Sequence, residues 1–275
     1  MELALKAVGD NGKLQKIIIF VVVASASLTL VLSVSFAYLT KQPEFLCRIT
    51  QDIHPHFQPC EFSQNLCNVK FEIEKDPSRS VYNFAYSFDL YCSKAFYVPL
   101  LSTVFFFGGI LGCILLSSVP DNFGRKKIFQ ILIILSLFLH FNLLFTLGPV
   151  HLILVHFLSG IASFAYGMSS VIVSEYSPRS IAGIVMSITN AIYPLSGISI
   201  GFFFIFVNNW RILFLFTTII HSIVTFLTVK YFVESPRWLN SQKKTQDCLE
   251  TLGIIANING RTKEWEDFTK NNQSK

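Results

Sequence analysis

The stretch 95–127, AFYVPLLSTVFFFGGILGCILLSSVP followed by DNFGRKK, decides what kind of protein this is. Its first 26 residues contain no Asp, Glu, Lys or Arg, and the next seven contain four of them. A helix needs about 20 apolar residues to cross the roughly 30 Å hydrocarbon core of a bilayer, and returning charge marks where it meets water. Working outward, five further stretches are equally charge-free: 17–40, 128–150, 151–174, 181–207 and 212–229. The six runs total 142 residues, so all 39 acidic and basic residues fall in the other 133. This pattern predicts six transmembrane helices in an all-α, polytopic membrane protein.

Composition excludes the other classes. Only 14% of residues are charged and 52% are hydrophobic, with 28 Phe, whereas a soluble domain carries about 25% charge. A soluble globular domain, a disordered chain and a nucleic-acid binder are therefore poor readings despite the formal +5. The first run is too long and too uniformly apolar for a cleaved signal peptide, whose core is roughly 7 to 15 residues. It reads as a retained span. The third and fourth spans meet at Gly148, Pro149 and Val150, predicting a tight hairpin whose turn residues break the helix.

Basic residues sort to one side. Lys6, Lys13 and Lys16 precede the first span, Arg125, Lys126 and Lys127 follow the second, Arg179 follows the fourth, and Lys230, Arg237, Lys243 and Lys244 follow the sixth. Arg211 stands alone in the opposite short loops. The positive-inside bias predicts cytoplasmic termini and an outer loop over 41–94. That loop holds Cys47, Cys60, Cys67 and Cys92, an even set on an oxidising face that reads as two disulfides of open connectivity. His54 and His56 beside Cys60 fit no zinc spacing, so no metal site is expected. The chain divides into a six-helix domain over 1–239 and a polar cytoplasmic tail over 240–275. The tail's amphipathic stretch, 245–256, is closed by Asn259 and Gly260 as stop signals.

The even-numbered spans each end in an acid followed one turn later by a base: Asp121 with Arg125, Glu175 with Arg179, Glu234 with Arg237. Such groups can pair within a turn or exchange partners between helix ends, which would close one end of a bundle in one state and release it in another. In the spans, Gly108 with Gly112 and Gly197 with Gly201 predict close helix approach. His140 and His221 near mid-span read as structural histidines. There is no nucleophile with a base, no phosphate loop and no metal-ligand spacing, so neither an enzyme nor a cofactor is expected.

Asp121-Asn122-Phe123-Gly124-Arg125-Lys126-Lys127 resembles the loop between helices two and three of the major facilitator superfamily. Glu234-Ser235-Pro236-Arg237-Trp238-Leu239 is similar to the signature after helix six of its sugar porters and organic ion transporters. Asp89-Leu90-Tyr91-Cys92, ending a cysteine-bearing loop, resembles the organic cation, anion and carnitine branch. The pattern departs at Ser117, Asn122 and His156, where the family has Gly, a basic residue and a basic residue.

The resemblance implies transport of a small organic solute by alternating access across a lipid bilayer, in the plasma membrane. It implies a cytoplasmic gate at Asp121, Gly124, Arg125, Glu175, Arg179, Glu234 and Arg237. It also implies a substrate site near Asn190 and Tyr193, with Pro194 beside them to break the helix. Tyr166 and Ser170, one turn apart on span four, would face the same cavity. The family has twelve helices in two halves, so a second six-helix half or chain is the expected partner. Two alternatives stay open: a sugar porter-like half, and a non-transporting six-helix subunit. With no charge inside any span, this half offers an ionic substrate no fixed counter-charge.

Overall fold

The structure, a computed structural model, describes residues 2–9, 11–49, 56–60, 73–76, 79–178 and 180–273. It is helical throughout apart from a small sheet between the first two spans. Among the described residues, five helical stretches are long and apolar enough to cross a membrane, Cys92–Leu116, Arg125–Leu144, Pro149–Tyr176, Ala182–Phe206 and Trp210–Tyr231, and the bent pair Glu2–Val8 with Lys13–Thr29 makes six when taken as one span.

The first span is broken. After α1 (Glu2–Val8), residues 17–40 fall in α2 (Lys13–Thr29), α3 (Val31–Val34) and α4 (Phe36–Leu39), interrupted at Leu30 and Ser35. The cause is local: Thr29 Oγ1 donates to the Ala26 carbonyl, Ser33 Oγ to Leu30, and Ser35 Oγ to both Val31 and Leu32. Hydroxyls that bond carbonyls three or four residues back compete with the helical ladder and bend it.

The remaining elements follow the charge-free runs. The second span is α6 (Tyr97–Leu116), preceded by the short α5 (Phe84–Ser87) and followed by α7 (Val119–Phe123). Span three is α8 (Arg125–Leu144), and span four is α9 (Pro149–Ala162) plus α10 (Phe164–Tyr176), with a break at Ser163. Spans five and six are α11 (Ala182–Phe206) and α12 (Trp210–Tyr231).

Two expectations are corrected. The turn between spans three and four lies over 145–148, because α8 ends at Leu144 and Pro149 opens α9 at its first position. Proline is favoured there because that N–H has no intrahelical partner anyway. Nor does Pro194 break span five, for α11 runs through it without interruption. Inside a bilayer the backbone has no water to turn to, so a proline is absorbed within a continuing helix.

Spans two and four touch through bare backbone. A Cβ at Gly112 would lie 2.9 Å from the Ile161 carbonyl oxygen, and one at Gly108 or Gly160 would overlap the facing Phe157 or Phe105 carbonyl. This is the close approach that small residues permit in membrane bundles.

The loop 41–94 contains an unforeseen sheet of order β2-β1-β3, antiparallel throughout. Its strands are β1 (Phe45–Ile49), β2 (His56–Cys60) and β3 (Ile73–Lys75). Cys47 and Cys60 sit on neighbouring strands, and Cys92 is disulfide-bonded. Cys67 and His54 lie outside the described residues.

At the end bearing both termini, α13 (Pro236–Ser241), α14 (Thr245–Asn259) and α15 (Thr262–Gln273) pack with α1. Cys248, Leu252, Ile255 and Ala256 join Leu14, Ile18 and Val22 of the first span in one apolar cluster. Helix α14 stops at Gly260, which takes the left-handed φ of +72°, the conformation glycine adopts at helix C-termini. The neighbouring Asn259 ties the ends of the chain together. Its side-chain amide donates to the carbonyls of Val8 and Gly9 and to Gln15 Oε1, and its Oδ1 accepts from the Leu14 N–H.

Candidate functional site

The acid and base residues at the helix ends converge at the terminus-bearing end of the bundle. Gly124, between α7 and α8, has φ +105° and ψ 146°, a conformation essentially confined to glycine. The turn aims the first amides of α8 at a single carboxylate. Glu234 Oε1 accepts from the backbone N–H of Arg125 (3.1 Å), Lys126 (3.2 Å) and Ser235 (3.0 Å). A carboxylate at a helix N-terminus meets unpaired N–H donors and the positive end of the dipole. A Cβ on Gly124 would come within 2.5 Å of Glu234 Oε2, so the glycine also clears the space the carboxylate occupies.

The segment from Glu234 to Trp238 bonds to three neighbours at once. Ser235 caps α13, its Oγ accepting from the Trp238 N–H at 3.3 Å, and Pro236 opens that helix. Arg237 donates to the carbonyls of Ser174 (2.8 Å), in the last turn of span four, and Ser177 (3.3 Å), just past it, and pairs with Glu2 at 3.3 Å. Trp238 Nε1 donates to the Asp121 carbonyl at 2.9 Å. The Tyr176 hydroxyl donates to Val233 at 2.5 Å.

Arg125 is the hub. Its guanidinium pairs with Asp121 in its own turn and, at 3.2 Å, with Glu175 at the end of span four. Side-chain exposure separates the two: Asp121 is 60% exposed, whereas Arg125 and Glu175 are 16% and 14%. Burial lifts the Glu234 carboxyl above its ordinary pKa, the three backbone donors oppose this, and nearby Glu175 adds to it. Of the three acid–base repeats, the pair within one turn forms at Asp121 and Arg125. Glu234 and Arg237 instead bond to different helices, and Arg179 lies outside the described residues. Spans two, three, four and six, with α1 and α13, are thereby joined through a few charged groups.

A second set lies at mid-depth. The rings of Tyr166 on α10 and Tyr193 on α11 meet at 5.8 Å, both half-buried, and Asn190 is exposed one turn from Tyr193. Ser170 is half-buried one turn from Tyr166. Exposed positions around α11 include Ser187, Asn190 and Ser199 among apolar residues; the two serine hydroxyls bond the Gly183 and Leu195 carbonyls of their own helix, which leaves Asn190 as the polar side chain turned outward. On α8, by contrast, the exposed positions between Ile131 and Phe141 are all Ile or Phe. On α12 the exposed positions from Ile212 to Val229 are apolar apart from Ser222, whose hydroxyl bonds Thr218. Polar groups are costly against lipid and face protein or a water-filled space. A cavity of about 450 Å³ opens between α2 and α11 near the terminus-bearing end, bordered by Gln15, Lys16, Tyr176 and Thr189. The four candidate substrate residues are not among those lining it.

Sequence reasoning missed Glu2, Tyr176 and Asn259. Glu2 and Asn259 are ordinary polar residues near helix ends, and only their partners, more than 230 positions away, make them distinctive. Tyr176, directly after Glu175 at the water boundary, carried a faint signal in its type and place.

Residues 78–273, more than half of the chain, match the family model described as Major Facilitator Superfamily. The chain is similar to organic cation/carnitine transporter 5 of Arabidopsis thaliana, at 29% identity over 62% of this chain and 34% of that one. It is also similar to organic cation transporter 1 of Caenorhabditis elegans (27%; 68% and 33%) and to mouse organic cation/carnitine transporter 2 (25%; 73% and 36%). Its fold is like that of the Escherichia coli xylose transporter XylE in a partially occluded inward-open conformation. The TM-score is 0.57 at 14% identity, covering 95% of this chain and 59% of XylE. The chain thus spans about a third of the length of these sequence relatives. Apolar helices that cross a membrane several times, the helix-end charge cluster and the matched model together place this chain in the Major Facilitator Superfamily.

Proposed function

We propose that the chain forms one half of an alternating-access transporter for small organic ions. The observation that carries this reading is the contrast between span five and spans three and six. Spans three and six present apolar residues outward, whereas α11 exposes the Asn190 amide one turn from Tyr193, whose ring meets Tyr166. That face suits the wall of a solute pathway closed on its other side by a second six-helix half or chain. Asn190, Tyr193, Tyr166 and Ser170 line the pathway in this reading.

The charge-free spans say which groups meet the solute. With no fixed counter-charge in this half, an organic cation is held by tyrosine faces and amide or hydroxyl oxygens. Asp121, Gly124, Arg125, Glu175, Arg179, Glu234 and Arg237 form the cytoplasmic gate in this reading; the pairing of Arg125 with Asp121 and Glu175 and the seat of Glu234 on the first amides of α8 support it. Both termini then face the cytoplasm, the tail over 240–275 braces the domain over 1–239, and the loop over 41–94 faces outward from the plasma membrane. A disulfide-bonded Cys92 suits an oxidising exterior. Relatives named for organic cations and carnitine favour organic ions over sugars, because the likeness to the xylose transporter is one of fold.

The test is uptake of labelled organic cations, anions and carnitine into proteoliposomes holding this chain, alone and with a companion half. Saturable uptake of one class, lowered by Tyr193→Ala, is expected. Competition by hexoses but not by organic ions would favour the sugar porter reading. No uptake in either arrangement would favour a non-transporting subunit.

A further inference from the structure

The two mid-span histidines are not solitary. His140 on α8 and His221 on α12 face each other with ring centroids 5.3 Å apart and planes at 84°, and both are at most 1% exposed. His140 Nδ1 lies 2.9 Å from the Ser136 carbonyl oxygen. A carbonyl only accepts, so Nδ1 carries the proton and Nε2 is left with a lone pair. Among the described residues nothing bonds to His140 Nε2, to either ring nitrogen of His221, or to Thr218 Oγ1 and Thr225 Oγ1. Thr218 and Thr225 sit three residues before and four after His221 and so share its face of α12.

These atoms lie in a polar layer across the bundle. On α8, Phe129, Leu132 and Ile133 belong to one apolar cluster and Leu139 and Leu143 to another; Ser136 and His140 lie at the boundary between them. On α12, Leu213 and Phe214 belong to the second cluster and Phe232, just past the helix, to the first; Thr217, Thr218, His221, Thr225 and Thr228 lie between. On the first span, Ser25 lies in the same zone, and its hydroxyl meets Thr228 Oγ1 at 2.8 Å. Buried polar atoms in a membrane interior are paired, and five orphans within two turns of α12 and the facing His140 mark a site that holds something.

We infer that His140, His221, Thr218 and Thr225 form an internal water site. The ligand class follows from charge and from the donors present. No Asp, Glu, Lys or Arg lies in the charge-free runs 128–150 and 212–229 that hold these residues, so a metal ion or hydronium would sit there without a counter-charge nearby on either helix. Water is neutral: one molecule donates to the lone pairs of His140 Nε2 and of one His221 nitrogen and accepts from a threonine hydroxyl, and a second accepts from the other His221 nitrogen on the far side of the ring. Those are the two to four polar partners a buried water requires. Bridged in this way, the histidines stay neutral and set α8 against α12 at one register.

X-ray hydroxyl-radical footprinting of the full chain in nanodiscs tests this without any variant. A water held in place is split there and oxidises the side chains it touches. His140 and His221 are expected to be modified several-fold faster than the equally buried Phe129 and Phe214. Replacing one threonine, Thr225→Val, should slow oxidation of His221. Modification of both histidines at the rate of the buried phenylalanines would overturn the inference. So would stoichiometric zinc or copper, found by elemental analysis of the purified chain and lost in the His140→Phe/His221→Phe variant, because the site would then take a metal.

Discussion

Arg125→Ala isolates what the buried part of the charge cluster contributes. The substitution removes two ion pairs of very different surroundings. Asp121 is 60% exposed, and an exposed pair contributes about 0–1 kcal/mol. Glu175 is 14% exposed, its Oε1 loses the guanidinium at 3.2 Å, and its Oε2 already has no hydrogen-bond partner among the described residues. Removing one partner of a buried pair costs about 3–5 kcal/mol because a charge stays behind uncompensated. At about 1.4 kcal/mol per factor of ten, the closed arrangement should lose roughly two to three and a half powers of ten in population relative to an opened one. Ser177 reports on it, since it is 1% exposed and its carbonyl accepts from Arg237. A Ser177→Cys reporter, with Cys113 and Cys248 replaced, is labelled by a maleimide in nanodiscs. Its rate should rise by that factor in Arg125→Ala. Adding Glu175→Gln should recover much of the loss, because no charge is then stranded. If Arg125→Ala labels within a few-fold of its parent, or if the added glutamine changes nothing, the buried-pair reasoning fails.

Other expectations use the same reporter or simple proteolysis. Gly124→Ala puts a side chain in a conformation that costs about 1–3 kcal/mol and against Glu234. Labelling should rise, while Gly148→Ala, with nothing within 4 Å of the added carbon, leaves the rate unchanged. Glu234 binds its proton more tightly when buried than when released, so closure strengthens as pH falls through its raised pKa towards the ordinary carboxylate value. Labelling, corrected for thiol reactivity, should slow over that window and quicken as pH rises through it. A flat profile, or one that persists in Glu234→Gln, would remove Glu234 as the cause. Asn259→Ala deletes four hydrogen bonds between the tail and the N-terminal segment from Val8 to Gln15, at about 0.5–1.5 kcal/mol each. Trypsin should then cut at Arg261 faster, and an unchanged rate would show that apolar packing alone holds the tail.

Most span limits could be read from the sequence because they depend on local composition. The ends of α11 and α12 fall within two residues of their charge-free runs, since returning charge marks where a membrane helix meets water. Gly260 and Pro236 likewise act through their own backbone preferences, one as a stop and the other as a helix start. Hydroxyl-rich segments were harder. Ser33 and Ser35 look unremarkable in an apolar run, yet their bonds to nearby carbonyls divide the first span.

For the candidate site, the sequence showed which residues would stand at the helix ends and not whom they would face. Glu234 precedes Arg237 by three residues, yet it bonds to amides 108 and 109 positions away, because the rotation of α12 against α8 decides its direction. His140 and His221 each look like an isolated polar residue in an apolar run and become a pair only across two packed helices.

By itself, the sequence determined a chain of six charge-free spans with its basic residues gathered at one side. These follow from the cost of placing charge in hydrocarbon, which depends on residue type and position along the chain. Only the tertiary structure decided that Arg125 reaches Glu175, that Glu234 caps α8 and that Asn259 joins the two ends of the chain. Those contacts depend on how each helix is rotated and crossed by its neighbours, a property of the whole packing that no single segment carries.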